Sequence, residues 1–268
     1  MSSMSIRWDI RRVRLVERRA PADRTGYAPC MRTEPVLLIH GFASSFDLNW
    51  TRNGWPDLLR DAKRTVLAVD LLGHGTADKP HDPAAYEGLE RSVLAALPDD
   101  GSVVDAVGFS LGAVTLIRAA ALAPERFGRI VLGGIGEQNM KPSDPEPVAR
   151  AIEAGLDALG ADDSEDSKLA RAFAQFAANG TNDPAALAAC LRRPGGRLSA
   201  EELAGIRSPV LLVCGDRDFV LPMEPVAAAL VHAASVTTKL LRGVDHFGTP
   251  QAFGFIDAAL EFLDAIPA

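Results

Sequence analysis

Short apolar runs alternate along this chain with longer Ala- and Leu-rich stretches, and that alternation leaves few folds open. The runs at Val36–Ile39, 65–69, 103–107, 129–132 and 210–213 are four or five residues long, rich in β-branched side chains and bounded by Gly, Asp or Pro. Runs this short, apolar almost throughout rather than at every second position, read as strands covered on both faces. A sixth, Val236–Leu241, carries Thr237, Thr238 and Lys239 and belongs nearer a sheet edge. Helices are expected over 50–61, 86–97, 111–123, 223–234 and 251–264. The pattern predicts an α/β fold: a mostly parallel central sheet flanked by helices, because parallel neighbours need a crossover long enough to hold a helix.

One segment departs from the pattern. Between 137 and 205 there is no apolar strand-like run; Pro142, Pro145 and Pro147 open the segment and Pro194, Gly195 and Gly196 stand near its end. Residues 169–177 have helical composition, and a structureless loop of such length would be rare. A helical insertion is therefore expected, dividing the chain into a core of residues 1–136 and 206–268 and an insertion of 137–205. The segment at about 6–20 alternates weakly and reads as an antiparallel hairpin. Its crowded arginines (Arg7, Arg11, Arg12, Arg14, Arg18, Arg19) suit a solvated face that guards a sheet edge.

The 268 residues suffice for a large buried core, and a formal net charge of -7 argues against a nucleic-acid partner held by its phosphates. No stretch approaches the roughly 18 apolar residues of a membrane span, and the first 25 residues lack the apolar core of a secretion signal. Cys30, Cys190 and Cys214 show no paired spacing, and Cys214 lies in an apolar run as a small core residue. A soluble, cytoplasmic protein with neither membrane nor nucleic-acid partner is expected; oligomeric state is not legible.

The chemistry concentrates at Gly108, Phe109, Ser110, Leu111 and Gly112, directly after one expected strand and opening an expected helix. A strand that reverses sharply into a helix forces its central residue into a strained backbone conformation, and flanking residues without a Cβ relieve the crowding. Ser110 is then exposed at the strand's carboxyl end, with the helix N-terminus aiming free N–H groups at any oxyanion formed there. A serine hydroxyl needs a base within hydrogen-bond reach. Of the five histidines, His40 and His74 precede glycines after apolar runs, His81 lies in a Pro/Asp-rich loop and His232 within an expected helix. His246 sits after the last expected strand and before the last helix, at the same carboxyl edge as Ser110.

A carboxylate should fix the tautomer of that histidine. Asp218 is the favoured residue; Asp216 lies nearer the strand end and suits the turn, Asp245 adjoins His246 too closely, and Glu137 remains an alternative. The oxyanion hole is expected from the backbone N–H groups of Leu111, which follows the nucleophile, and Phe42, where Gly41 lets the chain turn. His40 itself is read as bonding loop backbone. No Cys/His or carboxylate cluster has metal-ligand spacing, so neither metal nor organic cofactor is expected.

These residues resemble the α/β-hydrolases, in the large branch that includes esterases, C–C hydrolases of meta-cleavage products and perhydrolase-like enzymes. The resemblance rests on His40-Gly41-Phe42, Asp70 with Gly73-His74-Gly75, the Ser110 turn, Gly215-Asp216-Arg217-Asp218 and His246, and it spans the chain from about residue 35. It implies that Asp70 and the Gly73-His74-Gly75 turn are structural and that 137–205 forms a helical cap over the pocket. Many such relatives carry Gly before the histidine and Pro two positions after it, where this chain has Asp245 and Gly248. The expected activity is hydrolysis of a small, fairly apolar carboxylic ester through an acyl-enzyme, with C–C hydrolysis and a slow-turnover ligand receptor as rivals.

Overall fold

The computed structural model describes residues 32–155, 164–179 and 182–266, so the hairpin expected at 6–20 lies outside the described residues. Six strands form one sheet: β1 (Val36–Ile39), β2 (Val66–Val69), β3 (Val104–Phe109), β4 (Phe127–Gly133), β5 (Val210–Gly215) and β6 (Val236–Leu241). Their order is β2-β1-β3-β4-β5-β6, and every pairing is parallel. The chain leaves β1 towards one edge and returns through β3 towards the other. The carboxyl ends of β1 and β3 thus flank the point where the topology switches direction, the place where open α/β sheets leave a crevice.

Strand interiors follow the expected runs because these are apolar on both sides. Leu37, Ile39, Ala106, Ile130, Leu132 and Leu212 face one helical layer; Val36, Leu38, Val107, Val131, Leu211 and Val213 face the other, with Trp50, Trp55 and Phe255. The run at 65–69 departs from the reading of a strand covered on both faces. β2 is an edge strand of the described sheet, with Ala68 exposed and only Val69 buried. At the opposite edge β6 exposes Thr237, Thr238 and Lys239, as its polar residues predict.

Helix boundaries differ where glycine takes a left-handed conformation. The stretch 50–61 is a wide turn at Asp47–Thr51 followed by α1 (Trp55–Asp61), separated at Gly54 with φ 77°. The stretch 86–97 shrinks to α2 (Glu90–Ala95), because Gly88 has φ +74°. The helix after β3 is α3 (Leu111–Leu122), close to expectation. The helix expected over 223–234 ends early as α8 (Glu224–Ala229): the chain turns to bury Leu230, and His232 lies in a turn rather than a helix. The last helix, α9, is Phe253–Phe262.

Between β4 and β5 the described chain holds no strand. It forms α4 (Glu146–Ala154), α5 (Glu165–Ala177), α6 (Pro184–Leu191) and α7 (Ala200–Ala204). Caps start several of these: Ser164 accepts from the Ser167 amide, Asp183 from those of Ala185 and Ala186, and Ser199 makes a capping box with Glu202.

α3 is buried along most of its length against the sheet, and its first turn passes very close to the end of β1. A Cβ on Gly112 would lie against the carbonyl oxygens of Ile39 and His40, far inside contact distance. Gly112→Ala is expected to cost about 1–3 kcal/mol of stability through overpacking. The check is urea unfolding: a lower midpoint with an unchanged slope.

Candidate active site

Ser110 occupies the tip of the β3–α3 turn with φ 51° and ψ −114°, a conformation that L-residues avoid. Packing on all sides holds it there. The Ser110 amide donates to Gly133 O at 2.8 Å, and the Val114 amide donates to Ser110 O at 3.0 Å. A Cβ on Gly108 would stand 2.7 Å from Gly112 O and 2.8 Å from Ala113 Cα, so the strand can turn back beneath its own helix only with glycine there.

The loop between β6 and α9 brings His246 to this hydroxyl: His246 Nε2 and Ser110 Oγ are 2.9 Å apart. On its other side, His246 Nδ1 is 2.9 Å from both carboxylate oxygens of Asp218. Asp218 Oδ1 also accepts from the Val220 amide at 3.0 Å, and Oδ2 faces Cys214 Sγ at 3.3 Å, the thiol donating. Asp218 and His246 are both buried, and the Phe219 and Phe109 rings pack on the imidazole with centroids 4.5 and 5.0 Å away. A side chain with both ring nitrogens bonded and both neighbouring faces packed has one orientation. Ser110, His246 and Asp218, some 28 to 136 positions apart in sequence, thus form one hydrogen-bonded line.

The alternative acids lie elsewhere. Asp216 accepts from the Gly243 amide at 2.7 Å and braces the turn. Asp245 Oδ1 accepts from the Gly248 amide at 2.8 Å, and its carbonyl accepts from Thr249 Oγ1 at 2.9 Å. This residue closes the loop around His246 in the absence of the Gly and Pro that many α/β-hydrolases have there. Glu137 pairs with Lys141.

Phe42 and Leu111 border the same cavity as Ser110. Neither backbone N–H enters a turn or loop hydrogen bond among the described residues. The loop carrying Phe42 is pinned by the Gly41 amide donating to Asn49 Oδ1 at 2.9 Å, a residue the sequence did not single out.

His40 and His74 serve the loops rather than the cavity. His40 Nδ1 donates to Gly41 O at 2.7 Å while Nε2 accepts from the Leu71 amide at 3.0 Å. His74 Nδ1 donates to Leu72 O at 2.9 Å. Asp70 ties the turns after β1 and β2 together, accepting from the amides of Phe46 and Thr76 at 2.7 and 2.8 Å. Burial holds His40 below the usual imidazole range. Burial, then the neighbouring His40 and Arg193, pushes His74 down to about 3. His81 pairs with Asp183 at the start of α6.

The cavity above Ser110 measures about 630 Å³ and is walled by the core loops on one side and by the helices between β4 and β5 on the other. Phe173 of α5 meets Phe42, Phe219 and Phe247 edge-on, at 6.0, 5.8 and 5.3 Å. Val114, Leu169 and Val220 add apolar wall, and the exposed Asp144, Asp166 and Arg197 stand among its charged residues. No group of three or more metal-ligating side chains occurs among the described residues, and none of their helices is long and apolar enough to cross a membrane.

A sequence profile of the alpha/beta hydrolase family matches residues 36–263. Over 239 residues the chain is 27% identical to a pimeloyl-(acyl-carrier protein) methyl ester esterase of Xylella fastidiosa (strain M23), covering 81% of this chain and 87% of that protein. A shorter stretch of 107 residues is 36% identical to the dihydrolipoyllysine-residue acetyltransferase component of the acetoin cleaving system of Pseudomonas putida. It covers 38% of this chain and only 28% of that protein. Among solved structures, the enol-lactonase from Burkholderia xenovorans LB400 shares the fold with a TM-score of 0.65 at 21% identity, over 87% of this chain and 92% of that one.

The buried histidines set an acid limit on stability. The unfolded chain binds a proton at His74 below about pH 6.5, whereas the folded chain does so only near pH 3. Stability therefore falls as pH drops through that window, by about 2 kcal/mol between pH 7 and pH 5 for His74 alone. Urea midpoints measured across this range should decline, and His74→Asn, which keeps a donor for Leu72 O, should flatten the decline.

Proposed function

The chain belongs to the alpha/beta hydrolase family, and on that premise we propose that it is a serine hydrolase of small, fairly apolar carboxylic esters, acting through an acyl-enzyme. The observation that carries this reading is the line from Asp218 through His246 to Ser110, with both contacts of the imidazole at 2.9 Å. Ser110 is the nucleophile, His246 the general base and Asp218 its orienting acid. The backbone N–H groups of Phe42 and Leu111 are the oxyanion donors, and residues 137–205 are the cap that shapes the pocket.

Ser110 Oγ attacks the ester carbonyl carbon as its proton passes to His246 Nε2. The carbonyl oxygen becomes an oxyanion held by the two amides, and Asp218 stabilises the imidazolium through Nδ1–H. As the carbonyl re-forms, the C–O bond to the alcohol breaks and the alcohol leaves with the proton from Nε2. Water then attacks the acyl-enzyme, giving a proton to Nε2, which returns it to Ser110 Oγ as the acid departs. Beside the apolar wall of Phe42, Leu111, Val114 and Val220, hydrogen bonds that form on the oxyanion gain strength.

The enzyme should turn over 4-nitrophenyl butyrate, and Ser110→Ala should lower kcat by about 10⁴-fold or more. Asp218→Asn, which leaves His246 in the wrong tautomer, should lower it by about 10³–10⁴-fold. Undiminished turnover in Ser110→Ala overturns the reading, as does failure of a fluorophosphonate to label Ser110 by mass spectrometry.

A further inference from the structure

Arg118, Arg192 and Arg193 have different surroundings in the fold. Arg118 Nε donates to Glu202 Oε1 at 2.7 Å, and its Nη2 also bonds the carbonyl oxygens of Gly195 and Arg197. Arg192 grips two carboxylates at once, Glu146 through Nε and Nη2 and Glu153 through Nη1 and Nη2, at 2.6–3.0 Å. Arg193 has no carboxylate among the described residues. Its Nη1 donates to Cys190 O at 2.7 Å, and among the described residues its Nε is buried without an acceptor and its Nη2 has no hydrogen-bond partner. Burial, then the nearby positive charge of Arg118, lowers the proton affinity of the guanidinium. Arg193 lines the cavity that holds Ser110 and His246.

A guanidinium drawn partly out of water with no counter-ion is costly, by several kcal/mol when fully enclosed. The neighbouring arginines meet that cost inside the protein. No carboxylate among the described residues meets it for Arg193, and this residue borders the cavity. The carboxylates at the cavity, Asp144 and Asp166, are exposed and solvated, and Asp144 Oδ1 is already an acceptor for the Glu146 amide.

We propose that Arg193 is the subsite for an anionic group of the substrate, a carboxylate carried on an ester whose other end is cleaved at Ser110. This deepens the serine-hydrolase reading and rests on it for the cleavage step, but the anion subsite can be tested without turnover. Planar carboxylates suit a guanidinium, which offers two parallel N–H groups, better than an ammonium. The remaining wall, with Phe42, Val114, Phe173 and Val220, suits an apolar chain between the two ends.

The first measurement is calorimetric binding of hexanoate and of hexanamide, its neutral isostere. Wild-type protein should bind hexanoate about tenfold or more tightly than hexanamide, the value of a charge-assisted hydrogen bond. In Arg193→Gln the preference should fall to near one, and in Arg193→Lys it should be kept in part. The second is the ratio of kcat/KM for mono(4-nitrophenyl) adipate over 4-nitrophenyl hexanoate, which should fall by about tenfold or more in Arg193→Gln. Hexanoate bound no more tightly than hexanamide by the wild type overturns the proposal without any variant. An adipate-to-hexanoate ratio unchanged in Arg193→Gln also overturns it. Loss of the serine-hydrolase reading looks different: neither ester is turned over, while the calorimetric preference still depends on Arg193.

Discussion

The close approach of backbone to backbone around Ser110 is the constraint on which the remaining geometry depends. A strand ends, reverses within one residue and enters a helix that passes beneath the neighbouring strand's carboxyl end. Gly108 and Gly112 permit this because neither has a Cβ to collide with α3 or with the carbonyls of Ile39 and His40. The strain at Ser110, at φ 51°, is sustained by hydrogen bonds on both sides and by a helix buried along most of its length. Because β1 and β3 flank the point where the strand order reverses, Phe42 and Leu111 come to border one cavity.

Around that turn, polar side chains divide into two groups by what they bond. His40, Asp70, His74 and Asn49 bond loop backbone, so they fix the rim without lining the cavity. Burial keeps the two histidines neutral, which lets an imidazole act as a rigid spacer where a charged ring would be expelled. His246 instead spans from a carboxylate to a hydroxyl. Its acid takes three donors, the imidazole, the Val220 amide and the Cys214 thiol, so the carboxylate has little freedom to rotate away.

The helices between β4 and β5 meet the core through rings and ion pairs of different consequence. Phe173 touches the loops after β1, β5 and β6 at once, which ties the apolar wall of the cavity to three core elements. Arg192 is consumed by Glu146 and Glu153 of α4, whereas the adjacent Arg193 borders the cavity. Both residues follow the end of α6 at Leu191, where the chain leaves the helix, so one turns to the carboxylates of α4 and the next borders the cavity.

The local sequence determined much of this protein. Apolar runs read as strands and the glycines about Ser110 as a strand–helix reversal, so both were legible from the residues, although the run at 65–69 proved an edge strand and not one covered on both faces. Helix ends were less so, because Gly54 and Gly88 break helices through left-handed conformations that composition does not announce, and Leu230 ends one by turning to bury itself. Only the tertiary structure decided which acid meets His246, that Cys214 donates to it, and which of three arginines has no carboxylate among the described residues. The physical reason is distance: propensity and periodicity act over a few neighbouring residues, while hydrogen bonds across 28 or 136 positions exist only once the sheet has brought its loops to one edge.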